Sequence, residues 1–344
     1  MITPPRAIVV RLPNWVGDVV MATPLLRALR SRCPRARIVA AARPHLLPIV
    51  DGLPYVDALL ALPTGASDRA RALRRGDFDT AFLLTHSLGS ALDAWRARIP
   101  RRLGYRGDWR RFLLTASLDR PKSGGKYRPV PMVETYLGLL QLLGPAADVP
   151  FDVRYELRST AADEGWLRAW SERHDLDLES GGPWVGINPG ASFGASKLWD
   201  PTRFANVADR LRDELGWRPI LLGAPSERGL LRRVRAAMSG DGVDTSSDPV
   251  PLGPLKGLIS RLNLLVTTDS GPRAIAQAYD VPSVVLMGPT HPGWTASNTS
   301  HSRIVRHDVP CGPCHLKVCP TDHVCMESIT VEEVVAASLD ITRM

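Results

Sequence analysis

Short apolar runs alternate with longer amphipathic stretches along almost the whole chain. The apolar runs predict strands at Ala7–Leu12, Ile38–Ala42, Ala58–Leu62, Thr80–Leu84, Val185–Ile187, Ile220–Gly223, Leu264–Thr267 and Ser283–Met287. In the second half, the amphipathic stretches predict helices at Thr202–Leu215, Glu227–Met238, Leu255–Leu262, Pro272–Tyr279 and Val331–Ile341. Continuous Val, Ile and Leu strands that alternate with such helices are typical of parallel sheets covered on both faces. The pattern therefore predicts an α/β fold.

Both halves of the chain repeat this pattern, which predicts two Rossmann-like domains. A length of 344 residues also suits two domains better than one. We place the N-terminal domain at residues 1–170 and the C-terminal domain at residues 171–344, joined near Asp152–Gly182, with a final helix that could pack on either domain. Because ligands of such sheets bind at the carboxyl ends of the strands, we expect the loops there to face each other across a cleft.

The loop after the first strand of the second half has the composition of an anion-binding site. Its sequence, NPGASFGASK at residues 188–197, leads to a helix that opens near Asp200. Glycines let the backbone approach a ligand, and a helix N-terminus favours negative charge. Lys197 adds a full positive charge in a chain with only five lysines. The alternative is an ordinary strand–helix turn, but a phosphate-bearing ligand is favoured.

A second turn of this kind, TTDSGP at residues 267–272, also lies between a strand and a helix. The backbone N–H groups of Ser270 and Gly271, with the Ser270 hydroxyl, would hold a second phosphate, so two loops fit a diphosphate. Asp269 is either a helix cap or an acceptor for sugar hydroxyls. Glu227 follows a third strand, where an acid commonly accepts ribose hydroxyls, although it could equally complement the helix dipole. These features indicate a nucleoside diphosphate.

Asp18 is the candidate general base. It follows the first strand of the N-terminal half and Gly17, at the start of a helix. A carboxylate at a helix N-terminus stays ionised at neutral pH, and a position in the cleft would direct it towards a ligand on the other domain. The alternative is a helix cap, for which aspartate is among the preferred residues.

Arginines and aromatic residues gather in one stretch of the N-terminal half, and the net charge of the chain is +8. They are Arg96, Arg98, Arg101, Arg102, Arg106, Arg110 and Arg111, with Trp95, Tyr105 and Trp109. Such a stretch could bind nucleic acid, or hold phosphate or carboxylate groups of an acceptor, or form a solvated face. For an acceptor, the candidates are Arg101, Arg102 and Arg106.

Four of the five cysteines lie close together near the C-terminus, at Cys311, Cys314, Cys319 and Cys325. Their density suggests a structural zinc site, with His315 and His323 nearby, although the spacing does not match two paired knuckles. An iron–sulfur cluster is a second possibility and a compact loop of thiols a third. The clustering of the cysteines argues against a disulfide framework.

No apolar run approaches the ~20 residues that a membrane span requires. With no visible secretory signal, we expect a cytoplasmic protein.

Five motifs occur in a specific order: WVGD (15–18), GYRG (104–107), the loop 188–199, TDSGPR (268–273) and MGPT (287–290). In this order they resemble glycosyltransferase family 9, the ADP-heptose:lipopolysaccharide heptosyltransferases, and most closely its heptosyltransferase II group. The cysteine segment is similar to one found in a bacterial subset of the family. The resemblance implies a GT-B fold and metal-independent, inverting transfer of heptose from ADP-L-glycero-D-manno-heptose to a lipid A–core acceptor. It also implies peripheral contact with the cytoplasmic face of the inner membrane.

The resemblance also assigns roles to individual residues. It makes Asp18 the general base and Lys197 a group that stabilises the leaving diphosphate. It implies donor contacts for Ser192, Lys197, Glu227, Val250, Leu252, Asp269, Ser270 and Gly271. Here Ser192 belongs to the diphosphate loop, Val250 and Leu252 line the adenine, and Asp269 lies near the transferred sugar. The sequence departs at Ala274, where relatives often carry histidine, and Arg273 could compensate.

Three other functions share some of these sequence features. A nicotinamide oxidoreductase would require GxGxxG after its first strand, but the turn at residues 13–18 supplies only Gly17. A nucleic-acid-binding protein with a zinc knuckle would use the net charge and the cysteines, but it leaves the two phosphate loops unexplained. A transferase of the same family with another sugar nucleotide or acceptor fits the same motifs. No nucleic-acid partner and no required cofactor are therefore expected.

Overall fold

A computed structural model describes residues 4–107, 109–144, 152–179 and 182–343 of the chain. They form two compact units: the first extends to Arg158 and includes Gly293–Ser297, and the second comprises Ser159–Pro292 and the residues from Asn298 onwards. The division therefore lies before the predicted boundary at residue 170. The reason is Trp170, whose fully buried indole donates a hydrogen bond to the Asp248 carbonyl oxygen at 3.1 Å and so fixes its helix to the second unit.

The first unit contains a parallel six-stranded sheet in the order β3-β2-β1-β4-β5-β6. The strands are β1 Ala7–Arg11, β2 Arg37–Ala42, β3 Ala58–Ala61, β4 Thr80–Leu83, β5 Arg101–Tyr105 and β6 Ala116–Leu118, followed by a small hairpin of β7 Lys122–Ser123 and β8 Lys126–Tyr127. The helices are α1 Val16–Met21, α2 Thr23–Arg32, α3 Ala66–Arg75, α4 Leu88–Arg96 and α5 Met132–Gly138. Consecutive residues of β1, such as Ile8, Val9 and Val10, are all buried, so both faces of this strand are covered.

The second unit repeats the arrangement, with the strand order β11-β10-β9-β12-β13-β14, again all parallel. Its strands are β9 Trp184–Asn188, β10 Arg218–Leu221, β11 Val243–Asp244, β12 Leu264–Thr268, β13 Ser283–Leu286 and β14 Ser302–Val305. Its helices are α6 Ala161–Arg173, α7 Pro201–Leu215, α8 Arg228–Ala237, α9 Leu252–Ser260, α10 Gly271–Ala278, α11 Val324–Glu327 and α12 Val331–Ile341. The predicted α/β fold with two Rossmann-like units is confirmed.

Local sequence signals explain where the helices beside the candidate site begin and end. The Asp200 carboxylate accepts hydrogen bonds from the N–H groups of Thr202 and Arg203, so α7 begins at Pro201. The same helix ends at Gly216, which adopts the left-handed conformation (φ 70°) that glycine tolerates. The last helix, α12, packs into the core of the second unit through its buried residues. None of the described helices is long and apolar enough to cross a bilayer.

Candidate active site

The donor loop, residues 189–197, follows the carboxyl end of β9 at the centre of the second sheet. It ends in a single 3₁₀ turn, Ala195–Lys197, and α7 begins only at Pro201. Lys197 is therefore positioned by this turn and not by the first turn of a long helix. The side chain is buried, with 9% of the residue exposed, and its ammonium lies 5.1 Å from the centre of the Phe193 ring.

Asp269 forms the centre of a charged cluster with Lys197, Arg273 and Thr290. Lys197 Nζ donates to the Asp269 carbonyl oxygen at 2.6 Å and to Asp269 Oδ2 at 2.7 Å. Thr290 Oγ1 donates to the same Oδ2 at 2.7 Å, and Arg273 Nη1 donates to Oδ1 at 2.9 Å. Two cations thus surround one carboxylate, which leaves a net charge of about +1 at this position if all three groups are ionised.

The carboxylate of Asp269 stays ionised despite its burial. Burial raises its pKa, but the charges of Lys197 and Arg273 and the hydrogen bonds from Lys197 and Thr290 lower it well below the ordinary value. Both carboxylate oxygens accept hydrogen bonds from protein groups. The expected sugar contact of Asp269 therefore competes with its function of holding the two cations in place.

Ser270 and Gly271 lie where the sequence places them, at the start of α10. Ser270 is the N-cap residue, Gly271 is the first helical residue and Pro272 lies in the first turn. The Ser270 hydroxyl accepts a hydrogen bond from Asn188 Nδ2 at 3.0 Å, which connects this helix end to the end of β9. The N-terminus of α10 and the donor loop therefore lie at the same edge of the second sheet.

Glu227 is the last residue of a 3₁₀ turn that follows β10, and its carboxylate lies beside the donor loop. A Cβ atom at Gly190 would overlap this carboxylate, so the Glu227 side chain would have to move for any other residue at position 190. Glu227 Oε2 also accepts a hydrogen bond from the Ala224 N–H at 2.8 Å. Glu227 thus caps the turn and lies beside the donor loop; its contact with a ribose stays a prediction.

The remaining donor candidates differ in exposure. Ser192 is exposed at the tip of the donor loop, whereas Val250 and Leu252 are half-buried at the start of α9. Ala274 is buried with 6% of its surface exposed, so this position offers no polar group to a sugar. Arg273, the proposed substitute, belongs to the charged cluster.

In the first unit, Asp18 occupies the first turn of α1, after the carboxyl end of β1. Trp15, the N-cap residue of this helix, makes no side-chain cap hydrogen bond. Burial raises the pKa of the Tyr136 hydroxyl well above its ordinary value; Asp18 adds to the rise and Arg120 opposes it. Asp18 and Arg120 are therefore both close enough to Tyr136 to act on its charge.

The three expected acceptor arginines do not lie together. Arg101 and Arg102 begin β5, whereas Arg106 follows its carboxyl end, roughly 13 Å further along at ~3.3 Å per residue. Arg102 donates instead to the Leu113 and Pro100 carbonyl oxygens, at 2.6 and 3.2 Å. Arg101 and Arg102 therefore lie at the edge of the sheet opposite the one that Asp18 follows. Arg106 lies at the expected edge and pairs with Asp119 at 2.7 Å.

Two residues that the sequence did not single out lie at the same edge as Arg106. Arg120 stacks on Tyr127, with its guanidinium carbon 4.1 Å from the ring centre, and His86 follows β4. Burial, then the charges of Arg120 and Arg110, lower the pKa of His86 to about 4, so its imidazole is neutral at pH 7. Arg110 is fully buried and donates to the Tyr105 carbonyl oxygen at 2.8 Å, so it holds the loop after β5. Neither Arg120 nor His86 belongs to a motif, so no signal marked them.

The four clustered cysteines are free thiols of unequal exposure. Cys311 is exposed, Cys314 and Cys319 are half-buried and Cys325 is buried. Burial, then the three neighbouring thiols, raise the pKa of Cys325, and Cys319 Sγ lies 3.4 Å from the Thr321 hydroxyl. Within the described ranges, no three His, Cys, Asp or Glu side chains are arranged to hold a metal ion. The structure therefore gives no support to the predicted zinc site.

Comparison with known proteins identifies the family. The family model for glycosyltransferase family 9 (heptosyltransferase) matches residues 68–325. Lipopolysaccharide heptosyltransferase 2 of Salmonella typhimurium is 30% identical, and that of Escherichia coli is 29% identical, each over 86% of both chains. The solved structure of E. coli ADP-heptose lps heptosyltransferase II superposes with a TM-score of 0.80 at 27% identity, covering 98% of each chain. The chain therefore belongs to glycosyltransferase family 9.

Proposed function

We propose that this protein transfers a heptose from ADP-heptose to the inner core of a lipopolysaccharide precursor, with inversion at the anomeric carbon. The observation that carries the proposal is the Lys197–Asp269–Arg273 cluster beside the N-terminus of α10. Family membership supports the same conclusion, because the curated relatives include several heptosyltransferases of type 2.

The charged cluster suits the chemistry of the donor. Breaking the bond between the anomeric carbon and the diphosphate leaves negative charge on the departing ADP. Lys197 and Arg273 place positive charge at the edge of the second sheet, and the N–H groups of Ser270 and Gly271 at the start of α10 add donors. Asp269 fixes the positions of both cations in advance, so little reorganisation is needed during the reaction. We propose that these groups make a divalent ion unnecessary.

Asp18 is proposed as the general base. Its carboxylate takes the proton of the acceptor hydroxyl while the hydroxyl oxygen bonds to the anomeric carbon and the diphosphate leaves from the opposite face. The product then has the inverted configuration. Near Asp18, Arg120 and Arg106 are proposed to hold acidic groups of the acceptor, because both guanidinium groups lie at the same edge of the first sheet.

The proposed donor is tested by thermal unfolding in the presence of ADP-heptose and of UDP- and GDP-linked sugars. ADP-heptose at 100 times its dissociation constant should raise stability by ~2.7 kcal/mol. For a unit of this size that corresponds to an increase in Tm of about 5–10 °C. The UDP- and GDP-linked sugars should give smaller shifts.

In a separate assay with ADP-heptose, an acceptor lacking the transferred heptose should gain the mass of one heptose, as measured by mass spectrometry.

Two outcomes would contradict this proposal. An equal or larger shift with another nucleotide sugar would keep the protein in the family but change its donor. No shift with any nucleotide, combined with salt-dependent retention on DNA, would favour a nucleic-acid-binding protein instead.

We further propose that the loop after β5 brings the enzyme to an anionic membrane surface. Trp109 and Phe112 are 90% and 77% exposed, and Arg111 beside them is exposed too. Exposed aromatic side chains beside basic residues suit the interface of a bilayer, where the rings enter the headgroup region. The loop follows the strand end that carries Arg106, which is the proposed acceptor side.

Replacing both aromatics, as W109S/F112S, should weaken binding to vesicles that contain phosphatidylglycerol by about tenfold or more, because two apolar surfaces no longer enter the bilayer. Co-sedimentation with phosphatidylglycerol/phosphatidylcholine vesicles measures the effect. The matched control is W95S, since Trp95 is 52% exposed on α4 of the same unit. Retention of binding in W109S/F112S, or equal loss in W95S, would contradict this assignment.

A further inference from the structure

The cysteine-rich segment, residues 311–325, lies against the donor loop. The Ser196 N–H donates to the Lys317 carbonyl oxygen at 3.0 Å, and Ser196 Oγ donates to the Leu316 carbonyl oxygen at 2.5 Å. A Cβ atom at Gly194 would overlap the Lys317 carbonyl group, so the segment and the loop are in direct contact. Both hydrogen bonds end on Ser196, the residue immediately before Lys197.

A third hydrogen bond from the same segment reaches Ser196. His323 Nε2 lies 2.6 Å from the Ser196 carbonyl oxygen, so the imidazole N–H donates to that oxygen. Ser196 is thereby held through its N–H, its hydroxyl and its carbonyl, and all three partners belong to residues 311–325. The side chain is 2% exposed, which protects these bonds from exchange with water.

The segment also supports the other half of the charged cluster. The His315 N–H donates to the Pro289 carbonyl oxygen at 2.9 Å. Pro289 precedes Thr290, whose hydroxyl donates to Asp269. One segment therefore fixes the neighbours of both Lys197 and Thr290, the two residues that share Asp269 Oδ2.

We infer that the cysteine-rich segment is a positioning element of the donor site and that His323 is the positioning residue through which it acts on Lys197. The imidazole N–H holds the Ser196 carbonyl and thus fixes the turn that presents the Lys197 ammonium to a diphosphate. This inference rests on the proposed function, because it takes ADP as the group that Lys197 binds. It gives the segment a role that requires no metal ion.

The test is the dissociation constant of ADP, measured by calorimetry, for the wild type, H323N, K197M and the H323N/K197M double variant. His323 has φ 60°, a conformation that asparagine tolerates, so H323N removes the long-range donor with little change in backbone preference. Loss of one hydrogen bond should weaken ADP binding by about 3- to 10-fold. Because His323 acts through Lys197, the same substitution should have almost no effect in the K197M background.

Controls separate this role from a general loss of stability. H307N is the matched control: His307 lies on the same unit, but its Nε2 contacts Glu333, so ADP affinity should be unchanged. S196A removes only the hydrogen bond to the Leu316 carbonyl oxygen. It should weaken ADP binding in the wild-type background but not in the K197M background. This variant provides a second test if H323N does not fold.

Unchanged ADP affinity in H323N, or an equal loss in the K197M background, would overturn the inference and leave the proposed function intact. If the wild type does not bind ADP at all, both fail together.

Discussion

Replacing Asp18 with asparagine is expected to lower kcat for heptose transfer by about 10²–10⁴-fold, the usual contribution of a positioned general base. Asparagine keeps the size of the side chain and the capacity for hydrogen bonding, but it cannot accept the proton of the acceptor hydroxyl. The affinity for ADP should be unchanged, because the candidate donor groups all belong to the second unit. Single-turnover kinetics and ADP calorimetry on the same preparation measure the two quantities.

A matched control distinguishes a base from a residue that only complements the helix dipole. Asp68 occupies the third position of α3, as Asp18 does in α1, and its side chain is 58% exposed. D68N should cost ~0.3–1 kcal/mol of stability and leave kcat unaffected. If D18N, like D68N, lowers stability slightly and leaves kcat unaffected, the catalytic assignment of Asp18 is wrong.

The sequence was sufficient to predict the fold because the central strands are almost purely apolar. Val185–Ile187 and Leu264–Thr267 were predicted within a residue or two of the observed β9 and β12. Buried parallel strands need apolar residues on both faces, and this requirement is visible in a single sequence. The strands that were missed include β5, which lies between β4 and β6 and begins with Arg101 and Arg102, and the edge strand β14, with the sequence SRIV. Both contain partly exposed polar residues, which weaken the apolar signal there.

Missing β5 also explains why the three acceptor candidates were expected to lie together. Without a strand between Arg102 and Arg106, all the arginines of this stretch could share one surface. The strand separates them, because residues at its two ends lie at opposite edges of the sheet. Arg120, whose charge acts on the pKa of Tyr136 as that of Asp18 does, has no neighbouring motif to draw attention to it.

The sequence marks the candidate donor residues but not the contacts between them. Strand–loop–helix patterns identified Lys197 and Asp269 separately, since each pattern is local. Their pairing depends on β9 and β12 being neighbours, which is a property of the sheet order. The same holds for Ser196 and His323, which are far apart in the chain but linked by a hydrogen bond. Contacts of this kind can be predicted only when the topology of the fold is already known.

Replacing Lys197 with methionine is expected to lower kcat/KM by about 10²–10³-fold, as the loss of one donor to a developing anion does. Methionine fills a similar volume, so the buried stem of the side chain keeps its packing. ADP affinity should fall as well, because the leaving group and the free product share the diphosphate. Unchanged ADP affinity would remove Lys197 from the donor site.

The variant K197M/D269N separates local charge from direct contact. In K197M, Asp269 still accepts hydrogen bonds from Arg273 and Thr290, so the local charge falls from about +1 to about 0 when all groups are ionised. The additional D269N substitution restores about +1 through Arg273. We expect the double variant to regain part of the ADP affinity but not the turnover, because Arg273 cannot replace the ammonium at the departing oxygen. Full recovery of turnover would show that only the net charge of the cluster matters, and Lys197 would then have no direct part in the transition state.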